Sequence, residues 1–479
     1  MGAVTLFWHD YETTGADPRR DRPAQFAGQR TTVELEPIGD PVSFHCRPAP
    51  DVLPHPEAVL LTGITPQQCA REGLIEAEFA ARVHEELAAP GTCGVGYNSI
   101  RFDDEVTRHL LYRNFYDPYA REWEHGNSRW DLIDLARLAY ALRPEGIVWP
   151  RREDGTPSFR LEDLARANHL QQARAHDAVS DVQALIALAR LLRVRQPRLW
   201  EFYFALRRKQ RAFELLDVAR MAPVLHASSR YPASRGCLAM VAPLAQHATQ
   251  ANAVIVVDLD ADPAALLQLD AEAVAARVFS ARDALPEGVE RIPLKLVHAN
   301  KSPALAPLTV LSGVDTARIG LDVERCLRHL ERLRAAEGLA AKVQRVFAAP
   351  AEGAAPDPEL ALYAGFLPDA DRRLLREVRQ APPAELARRQ FAFRDARYPE
   401  LLFRYRARNW PDTLDSAEQA RWQAFRRARL DGTNGLGGLD LEAYFRIIAA
   451  LRTDPAAAGK GDLLDALESW GRAQEAAQA

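Results

Sequence analysis

The apolar run Val4 to Trp8 leads directly into two carboxylates, Asp10 and Glu12. Such a run predicts a short buried strand, and residues two apart on a strand point to the same side. Asp10 and Glu12 are therefore expected side by side at the strand end. Two adjacent carboxylates repel each other unless a cation lies between them, so the pair predicts half of a site for a hard divalent metal ion. A solvated strand end is the alternative if no further carboxylates join them.

Two later segments carry more ionisable groups. Residues 94–105 predict a second strand, a loop and the start of a helix that carries Asp103. Further on, the segment from His176 to Asp181 opens an apolar helix that continues to Leu192. A helix turns about 100° per residue, so His176 and Asp181 would point apart if both were helical. We therefore expect His176 in the loop before the helix and Asp181 one turn inside it.

The order Asp-x-Glu, Asn-x-x-x-Phe-Asp and His-x-x-x-x-Asp resembles the DEDDh family of 3′ to 5′ exonucleases. The resemblance implies metal ligation by Asp10, Glu12, Asp103 and Asp181, and a general base at His176. Long runs resemble in particular the bacterial members specific for single-stranded DNA, and this likeness covers nearly the whole chain. Those runs include HDYETTGADPRRDRPAQFAGQRT, YNSIRFDDEVTRHLLYRNFYDPYAREW, KLVHANKSPALAPL and LLFRYRARNWPDTLD.

The pattern of elements predicts three domains. Residues 1–196 alternate strands and helices, as in an α/β domain, and the resemblance implies a ribonuclease H-like exonuclease fold. Residues 197–349 contain short strand-like runs such as Val254 to Val257 between turns, and the resemblance implies an SH3-like β-barrel. After a spacer rich in Pro and Ala, residues 356–479 are predicted to form an all-helical C-terminal domain.

Composition narrows the class of protein. No apolar run reaches the roughly 18 residues that cross a membrane. Five cysteines without a close pair suit a reducing cytoplasm. The net charge of −4 does not exclude a nucleic-acid partner, because binding depends on the local field. Basic residues cluster in two segments that could form a track for phosphates: Arg195, Arg198, Arg207, Arg208, Lys209 and Arg211, and then Arg404, Arg406, Arg408, Arg421, Arg426, Arg427 and Arg429.

The implied activity is processive degradation of single-stranded DNA from 3′ to 5′ during DNA repair and recombination, with release of 5′-mononucleotides. Carboxylate ligands suit two Mg²⁺ ions, for which Mn²⁺ should substitute. Such a pair supports two-metal-ion hydrolysis. In this scheme Asp10 bridges the metals and Glu12 approaches the terminal 3′-hydroxyl. His176, with an ordinary pKa near 6.5, takes a proton from the attacking water.

Cationic and aromatic residues alternate from Arg108 onward, as stacking of bases and neutralisation of phosphates require; the set comprises Arg108, Arg113, Tyr119, Arg121 and Trp123. We expect Arg108, Tyr119 and Trp123 to contact DNA, and Tyr112, Phe115 and Tyr116 to belong to the helix core. Further DNA-binding candidates are Arg137 and Arg160 by resemblance, and Asn300 and Lys301 in a loop of the second domain.

The resemblance also implies a protein partner, the single-strand DNA-binding protein, whose acidic tail ends in a hydrophobic residue. Such a tail needs a basic rim beside an apolar pocket. Arg143 is a candidate for that rim, and a solvated arginine is an equally good interpretation. We expect the chain to act as a monomer.

Three other functions remain open at this point. An RNA-trimming DEDDh exonuclease would use the same metal chemistry, because the 2′-hydroxyl is read elsewhere. The two long C-terminal domains argue against a small proofreading subunit of a polymerase. A non-catalytic nucleic-acid scaffold has no need to keep four carboxylates and a histidine beside phosphates.

Since all five candidate residues precede residue 197, we expect a fragment ending near 196 to hydrolyse DNA without processivity.

Overall fold

A computed structural model describes residues 4–170, 178–281, 284–348, 356–433 and 435–477. The chain divides into two compact units. The first comprises Met1–Ser128, Gln172–Gln183 and Glu352–Ala479, and the second comprises Arg129–Gln171 and Ala184–Ala351. The division cuts across the predicted domain 1–196, since residues 129–171 and 184–196 fall in the second unit. The C-terminal helical segment belongs to the same unit as the first 128 residues.

The first unit begins with a mixed sheet in which four neighbouring strands lie in the order β3-β2-β1-β4. Strand β1 pairs antiparallel with β2 and parallel with β4, so it is an inner strand. The elements of this part are β1 (Thr5–Thr13), β2 (Pro23–Thr31), β3 (Pro37–His45), α1 (Pro56–Thr62), α2 (Pro66–Glu72), α3 (Glu76–Ala88), β4 (Thr92–Gly96) and α4 (Asp103–Arg113).

Strand β1 is buried as predicted, and it is longer than its apolar run. Leu6, Phe7 and Trp8 are each 1% exposed or less, so both faces of the strand are covered. The polar continuation stays in the sheet, because Asp10 pairs with Ala27 of β2 and the pairing continues through Glu12. The two carboxylates therefore sit on an ordered inner strand, where their direction is fixed.

The turn from β4 into α4 delivers Asp103. All five residues of β4 are buried. In the following loop Asn98 takes a left-handed conformation, with φ of 63°, which asparagine tolerates better than most residues. Helix α4 then begins at Asp103, and acidic residues in a first turn are favoured by the helix dipole. The predicted strand, loop and helix start are confirmed.

The second unit contains an antiparallel sheet in the order β10-β6-β7-β8-β9. The strand predicted at Val254 to Val257 is confirmed as part of β8. Elements beyond α4 and up to residue 348 are β5 (Ser128–Asp131), α5 (Leu132–Leu142), α6 (Leu161–Ala167), α7 (Ala178–Arg195), α8 (Pro197–Ala205), α9 (Lys209–Leu215), β6 (Val224–Ala227), β7 (Leu238–Gln246), β8 (Ala253–Asp258), α10 (Ala264–Gln268), α11 (Ala271–Phe279), β9 (Leu294–His298), β10 (Ala304–Pro307), α12 (Val323–Arg334) and α13 (Leu339–Val346).

The C-terminal helices complete the hydrophobic core of the first unit. Tyr112 and Phe115, predicted as core, pack with Leu375, Tyr398 and Leu401 of these helices in one buried cluster. A second cluster joins the α1 region to the last helices. The helices are α14 (Asp369–Gln380), α15 (Pro383–Arg388), α16 (Arg397–Asn409), α17 (Ser416–Leu430), α18 (Leu441–Thr453) and α19 (Gly461–Ala476).

Most arginines of the second basic segment face protein carboxylates. The side chains of Arg404, Arg406 and Arg408 are 6–7% exposed, and that of Arg429 is 10% exposed. Their partners lie in the same unit: Arg404–Asp357, Arg406–Glu418, Arg408–Asp51 and Arg429–Asp51. The prediction that these four side chains form a phosphate track is wrong, because burial commits their charges to acidic groups of the fold.

Two predictions from composition can be compared with the structure. All five cysteines are buried and free. Among the described residues, no helix has the length and apolar character needed to span a bilayer.

Candidate active site

Three carboxylates converge where β1 meets α7. Asp10, Glu12 and Asp181 each offer an oxygen atom, and these atoms all lie within 4.8 Å of one another. Asp10 and Glu12 share one side of the strand, as their spacing predicts, and Asp181 lies in the first turn of the described part of α7. Asp10 and Asp181 are partly exposed, so the cluster is accessible from solvent.

The electrostatics of this cluster favour a cation. Burial of the carboxyl group, together with the charge of Asp181, raises the pKa of Asp10 to about 8 from an ordinary value of 3.8. Close carboxylates cannot all ionise without a counter-charge. A set of oxygen ligands at this spacing therefore fits a hard divalent ion such as Mg²⁺.

Asp103 is placed beside β1, but it is not among the three carboxylates that converge within 4.8 Å. Its Oδ1 accepts a hydrogen bond of 3.3 Å from the backbone N–H of Tyr11, the residue between Asp10 and Glu12. Its own side chain is 4% exposed. His176, the predicted general base, lies outside the described residues.

A pocket of about 790 Å³ opens beside Glu12. This volume falls in the usual range for small-molecule sites. Glu12 and Phe102 belong to its wall, and Phe102 directly precedes Asp103. The remaining lining residues are Tyr11, Thr13, Gly15, Ala16, Asp17, Asp21, His55, Glu57, Ala58, Leu61 and Thr62. Sequence reasoning did not find this pocket, because α1 approaches β1 only through the tertiary fold.

A layer of buried polar groups lies on the other face of β1. The hydroxyl of Tyr11 is 2.9 Å from Oγ1 of Thr107, which in turn donates 2.8 Å to the backbone carbonyl of Asp103. Arg121 donates 2.5 Å to Asp104, and both side chains are 3% exposed or less. The sequence placed Arg121 among cations that alternate with aromatics. The structure instead pairs it with a carboxylate adjoining Asp103.

Arg108 is also committed to protein groups. Its guanidinium makes two hydrogen bonds to Glu122, of 2.7 and 2.9 Å, and a third of 2.8 Å to Glu105. The side chain is 5% exposed. Arg108 also lies 5.3 Å from the ring centre of Tyr119. These contacts do not support the predicted direct contact with DNA, because the guanidinium is buried and its charge is already balanced by two carboxylates.

Other predicted DNA contacts differ in exposure. Trp123 is 64% exposed, as a stacking platform requires. Within the second unit, the Arg160 side chain is 65% exposed and lies 3.0 Å from Glu162, whereas Arg137 is buried and bonded to Asp134 at 2.5 Å.

The second unit also contains the predicted DNA contacts Asn300 and Lys301 and the predicted protein-binding residue Arg143. Asn300 is exposed, and its carbonyl accepts a hydrogen bond from Arg129. Lys301 is half-buried. The guanidinium of Arg143 donates to the carbonyls of Leu142 and Val310, at 2.5 and 3.0 Å, so it tethers the end of α5.

Comparison with protein families assigns the mixed sheet and its acidic cluster to an exonuclease. Residues 7–189 match the family model described as exonuclease. Residues 207–349 and 356–474 match the exonuclease I SH3-like domain and the exonuclease I C-terminal domain. The predicted fold class is thereby confirmed in its three parts: a ribonuclease H-like exonuclease, an SH3-like domain and a helical C-terminal domain.

The similarity extends along the chain. Exodeoxyribonuclease I of Escherichia coli is 49% identical over 425 residues, covering 88% of this chain and 89% of that protein. Exonuclease I from Methylocaldum szegediense superposes with a TM-score of 0.94 at 54% identity, covering 98% of this chain and 100% of that one. A zinc-bound E. coli exonuclease I in complex with single-stranded DNA gives a TM-score of 0.92 at 45% identity, covering 98% and 99%. The chain belongs to the exodeoxyribonuclease I family.

Proposed function

We propose that this exonuclease degrades single-stranded DNA processively from its 3′ end and releases nucleoside 5′-monophosphates in DNA repair and recombination. The observation that carries the proposal is the cluster of Asp10, Glu12 and Asp181 beside an open pocket of about 790 Å³. The cluster suits the scissile phosphate, and the pocket is large enough for a terminal nucleoside. The structurally similar E. coli enzyme supports the choice of substrate, because it was crystallised with single-stranded DNA.

We assign the metal ligands to Asp10, Glu12, Asp103 and Asp181. Two Mg²⁺ ions are the proposed cofactor, and Mn²⁺ substitutes because it accepts the same oxygen ligands. When bound, such a pair binds the phosphate, activates a water and stabilises the leaving oxygen. Asp103 is the first residue of α4, and its carboxylate accepts a hydrogen bond from the backbone N–H of Tyr11. Tyr11 lies between Asp10 and Glu12 on β1, so the proposed ligand set continues from this strand to the start of α4.

Asp10, Glu12 and His176 are given separate roles in the proposed reaction. Asp10 would help to hold the metal through its carboxylate, together with Glu12 and Asp181. Glu12 borders the pocket, which suits the approach to the terminal 3′-hydroxyl. His176 is proposed to take the proton of the attacking water, a role that an imidazole side chain can fill.

Strand binding is proposed to depend on exposed stacking residues and scattered cations. The exposed ring of Trp123 stacks on an unpaired base, and the partly buried Tyr119, with Arg108 5.3 Å from its ring centre, is a second proposed platform. Arg160, Asn300 and Lys301 are further proposed DNA contacts, whereas the buried Arg137 is bonded to Asp134. Many weak contacts beyond the reacting phosphate would retain the strand between cuts and so confer processivity.

The proposed protein partner is the single-strand DNA-binding protein, through its acidic tail. Arg143 is proposed for the basic rim, held in place by its bonds to the carbonyls of Leu142 and Val310. We further propose that the enzyme acts as a monomer in the cytoplasm, where its five free cysteines stay reduced.

The test is digestion of three substrates of matched sequence, single-stranded DNA, blunt duplex DNA and single-stranded RNA, each carrying a 3′ label. With Mg²⁺, single-stranded DNA should lose its label first as a nucleoside 5′-monophosphate, and the other two should be largely spared. The Asp181→Asn variant is the control for contaminating nucleases.

Faster loss of label from RNA would replace the proposed substrate by RNA. Release from the 5′ end, tested with a 5′ label, would contradict the proposed polarity.

A further inference from the structure

We propose that Arg121 is a positioning residue of the metal site. Its ion pair with Asp104 holds the first turn of α4, and with it the neighbouring carboxylate of Asp103, against β1. The inference rests on the proposed function, because it takes Asp103 to be a metal ligand.

The pair is short and shielded from solvent. Arg121 Nη2 lies 2.5 Å from Asp104 Oδ1, and the two side chains are 1% and 3% exposed. The backbone N–H of Asp104 donates 2.8 Å to the carbonyl of Ser99 in the loop before the helix. Asp104 is therefore held at its backbone by the loop and at its carboxylate by Arg121.

The same turn of helix is bonded to β1. Asp103 accepts from the N–H of Tyr11, and Thr107 joins the Asp103 carbonyl to the Tyr11 hydroxyl. Tyr11 lies between two proposed metal ligands of the strand. A change in the first turn of α4 is therefore transmitted to the spacing between Asp103 and the carboxylates of β1.

The guanidinium is also fixed by packing. A Cβ atom placed on Gly94 of β4 would lie 3.7 Å from Arg121 Nη1 and 3.6 Å from the ring of His9. The guanidinium of Arg121 therefore packs against Gly94 of β4, close to His9 of β1. A close-packed interior leaves such a group few alternative positions.

Removing Arg121 would leave Asp104 buried beside a carboxylate that must bind metal. Loss of the guanidinium takes away the ion pair that holds the buried Asp104 carboxylate, so this side chain would move toward water. Because Asp103 and Asp104 are consecutive in the same helical turn, movement of Asp104 displaces the neighbouring ligand. Replacing both Arg121 and Asp104 by neutral side chains leaves no unpaired charge there, and so removes the reason for Asp103 to be displaced.

The experiment measures Mn²⁺ binding to the full-length protein by electron paramagnetic resonance, with turnover of single-stranded DNA alongside. Loss of a group that orients a metal ligand typically weakens metal affinity by about 10- to 100-fold. We expect a loss in that range for Arg121→Met. The Asp104→Asn/Arg121→Met double variant should recover to within about threefold of wild type, a recovery that a simple packing defect would not produce.

The matched control is Arg113→Met. Arg113 lies at the other end of α4 and makes a comparably buried pair with Glu76, 2.6 Å long with side chains 5% and 9% exposed. It should lower the melting temperature and leave the Mn²⁺ affinity of the folded protein unchanged. If Arg121→Met does not fold, Arg121→Gln takes its place in the same comparison with its Asp104→Asn double variant.

Equal weakening of Mn²⁺ binding by Arg113→Met, or a double variant as weak as the single one, would overturn the role of Arg121. The Asp103→Asn variant separates this result from a failure of the proposed function. Wild-type Mn²⁺ affinity in Asp103→Asn would remove Asp103 from the metal ligands, whatever the Arg121 variants show.

Discussion

The carboxylate of Asp51 accepts two hydrogen bonds, of 2.9 and 2.7 Å, from the guanidinium of Arg408, which lies 357 positions further along the chain. The Asp51 side chain is fully buried, and Arg429 approaches it at 3.0 Å. A buried carboxylate of the N-terminal segment thus depends on the C-terminal helices for its counter-charge. Arg22 in the same unit depends in the same way on Glu359, at 2.9 Å.

Arg408→Met should destabilise the protein by about 3–5 kcal/mol, because it leaves the charge of Asp51 buried without its main partner. Urea unfolding followed by circular dichroism measures this loss. Arg446→Met is the control, since Arg446 is 70% exposed in a 3.7 Å pair with Glu442, and such surface pairs contribute about 0–1 kcal/mol. Similar losses for both variants would contradict the importance of burial.

The same contacts change the expectation for a fragment that ends near residue 196. Such a fragment lacks Glu359, Arg408 and Arg429, and it exposes apolar groups such as Phe115 that the C-terminal helices cover. We now expect it to be insoluble or unfolded, and not an active nuclease that has lost only processivity. A cooperative unfolding transition in the purified fragment would disprove this.

Stability should fall at acid pH partly through Glu76. Burial alone would raise the pKa of Glu76, but Arg113, Arg22 and Arg408 together outweigh it and lower the pKa from 4.5 to about 2. The folded state therefore favours the ionised form. Its contribution is fully present above about pH 4.5 and is lost as the pH falls toward 2, amounting to roughly 3 kcal/mol.

The Glu76→Gln variant tests this contribution. It should be less stable than wild type at pH 7, and its stability should change less between pH 5 and pH 2.5. Denaturant unfolding at half-unit steps of pH provides the measurement. Parallel curves for the two proteins would assign the acid sensitivity to other groups.

Metal binding should release a proton from the site of Asp10. Because burial and Asp181 raise the pKa of Asp10 to about 8, the metal-free site is protonated at pH 7, and a divalent ion must displace that proton. Calorimetric titration with Mn²⁺ in PIPES and in Tris should give binding heats that differ by about the difference between the ionisation enthalpies of the two buffers, as release of one proton requires. In Asp10→Asn that difference should disappear.

The same ligands should be indispensable for activity. Asp10→Ala or Asp181→Ala should each lower turnover by more than about a hundredfold, since a metal ligand supports several kcal/mol of transition-state stabilisation. Label release from single-stranded DNA under saturating Mg²⁺ measures the loss. Near-wild-type hydrolysis by either variant would refute the assigned site.

His176→Ala should lower the single-turnover rate by about 10²- to 10⁴-fold, the usual contribution of a general base. Its affinity for single-stranded DNA should change little, because binding is spread over many contacts. Filter binding without metal and rapid quench with metal separate the two quantities. A rate equal to wild type would exclude His176 from proton transfer.

Trp123→Ala should weaken binding of single-stranded DNA by about 5- to 150-fold, which corresponds to the loss of one base stack. Its thermal stability should be nearly unchanged, because the side chain is 64% exposed. Leu327→Ala, at a surface position 39% exposed, serves as the control for loss of an apolar side chain. Equal affinity of the Trp123 variant and wild type would remove Trp123 from the interface.

Local pattern was sufficient to predict the elements that present the acidic groups. The apolar run before Asp10 predicted β1, and the spacing of Asp10 and Glu12 predicted their shared side, because both depend only on strand geometry over a few residues. The start of α4 at Asp103 likewise followed from its neighbours in the chain.

The fate of the arginines was decided by tertiary structure. Arg108, Arg121 and Arg408 have the sequence character of cations available to phosphate, yet each is buried against a carboxylate. Whether a guanidinium meets water or an acidic group depends on which distant segment packs over it, and for Asp51 and Arg408 that segment lies hundreds of residues away. Strand and helix periodicity carry no information about such pairs, since it is long-range packing that brings the two charges together.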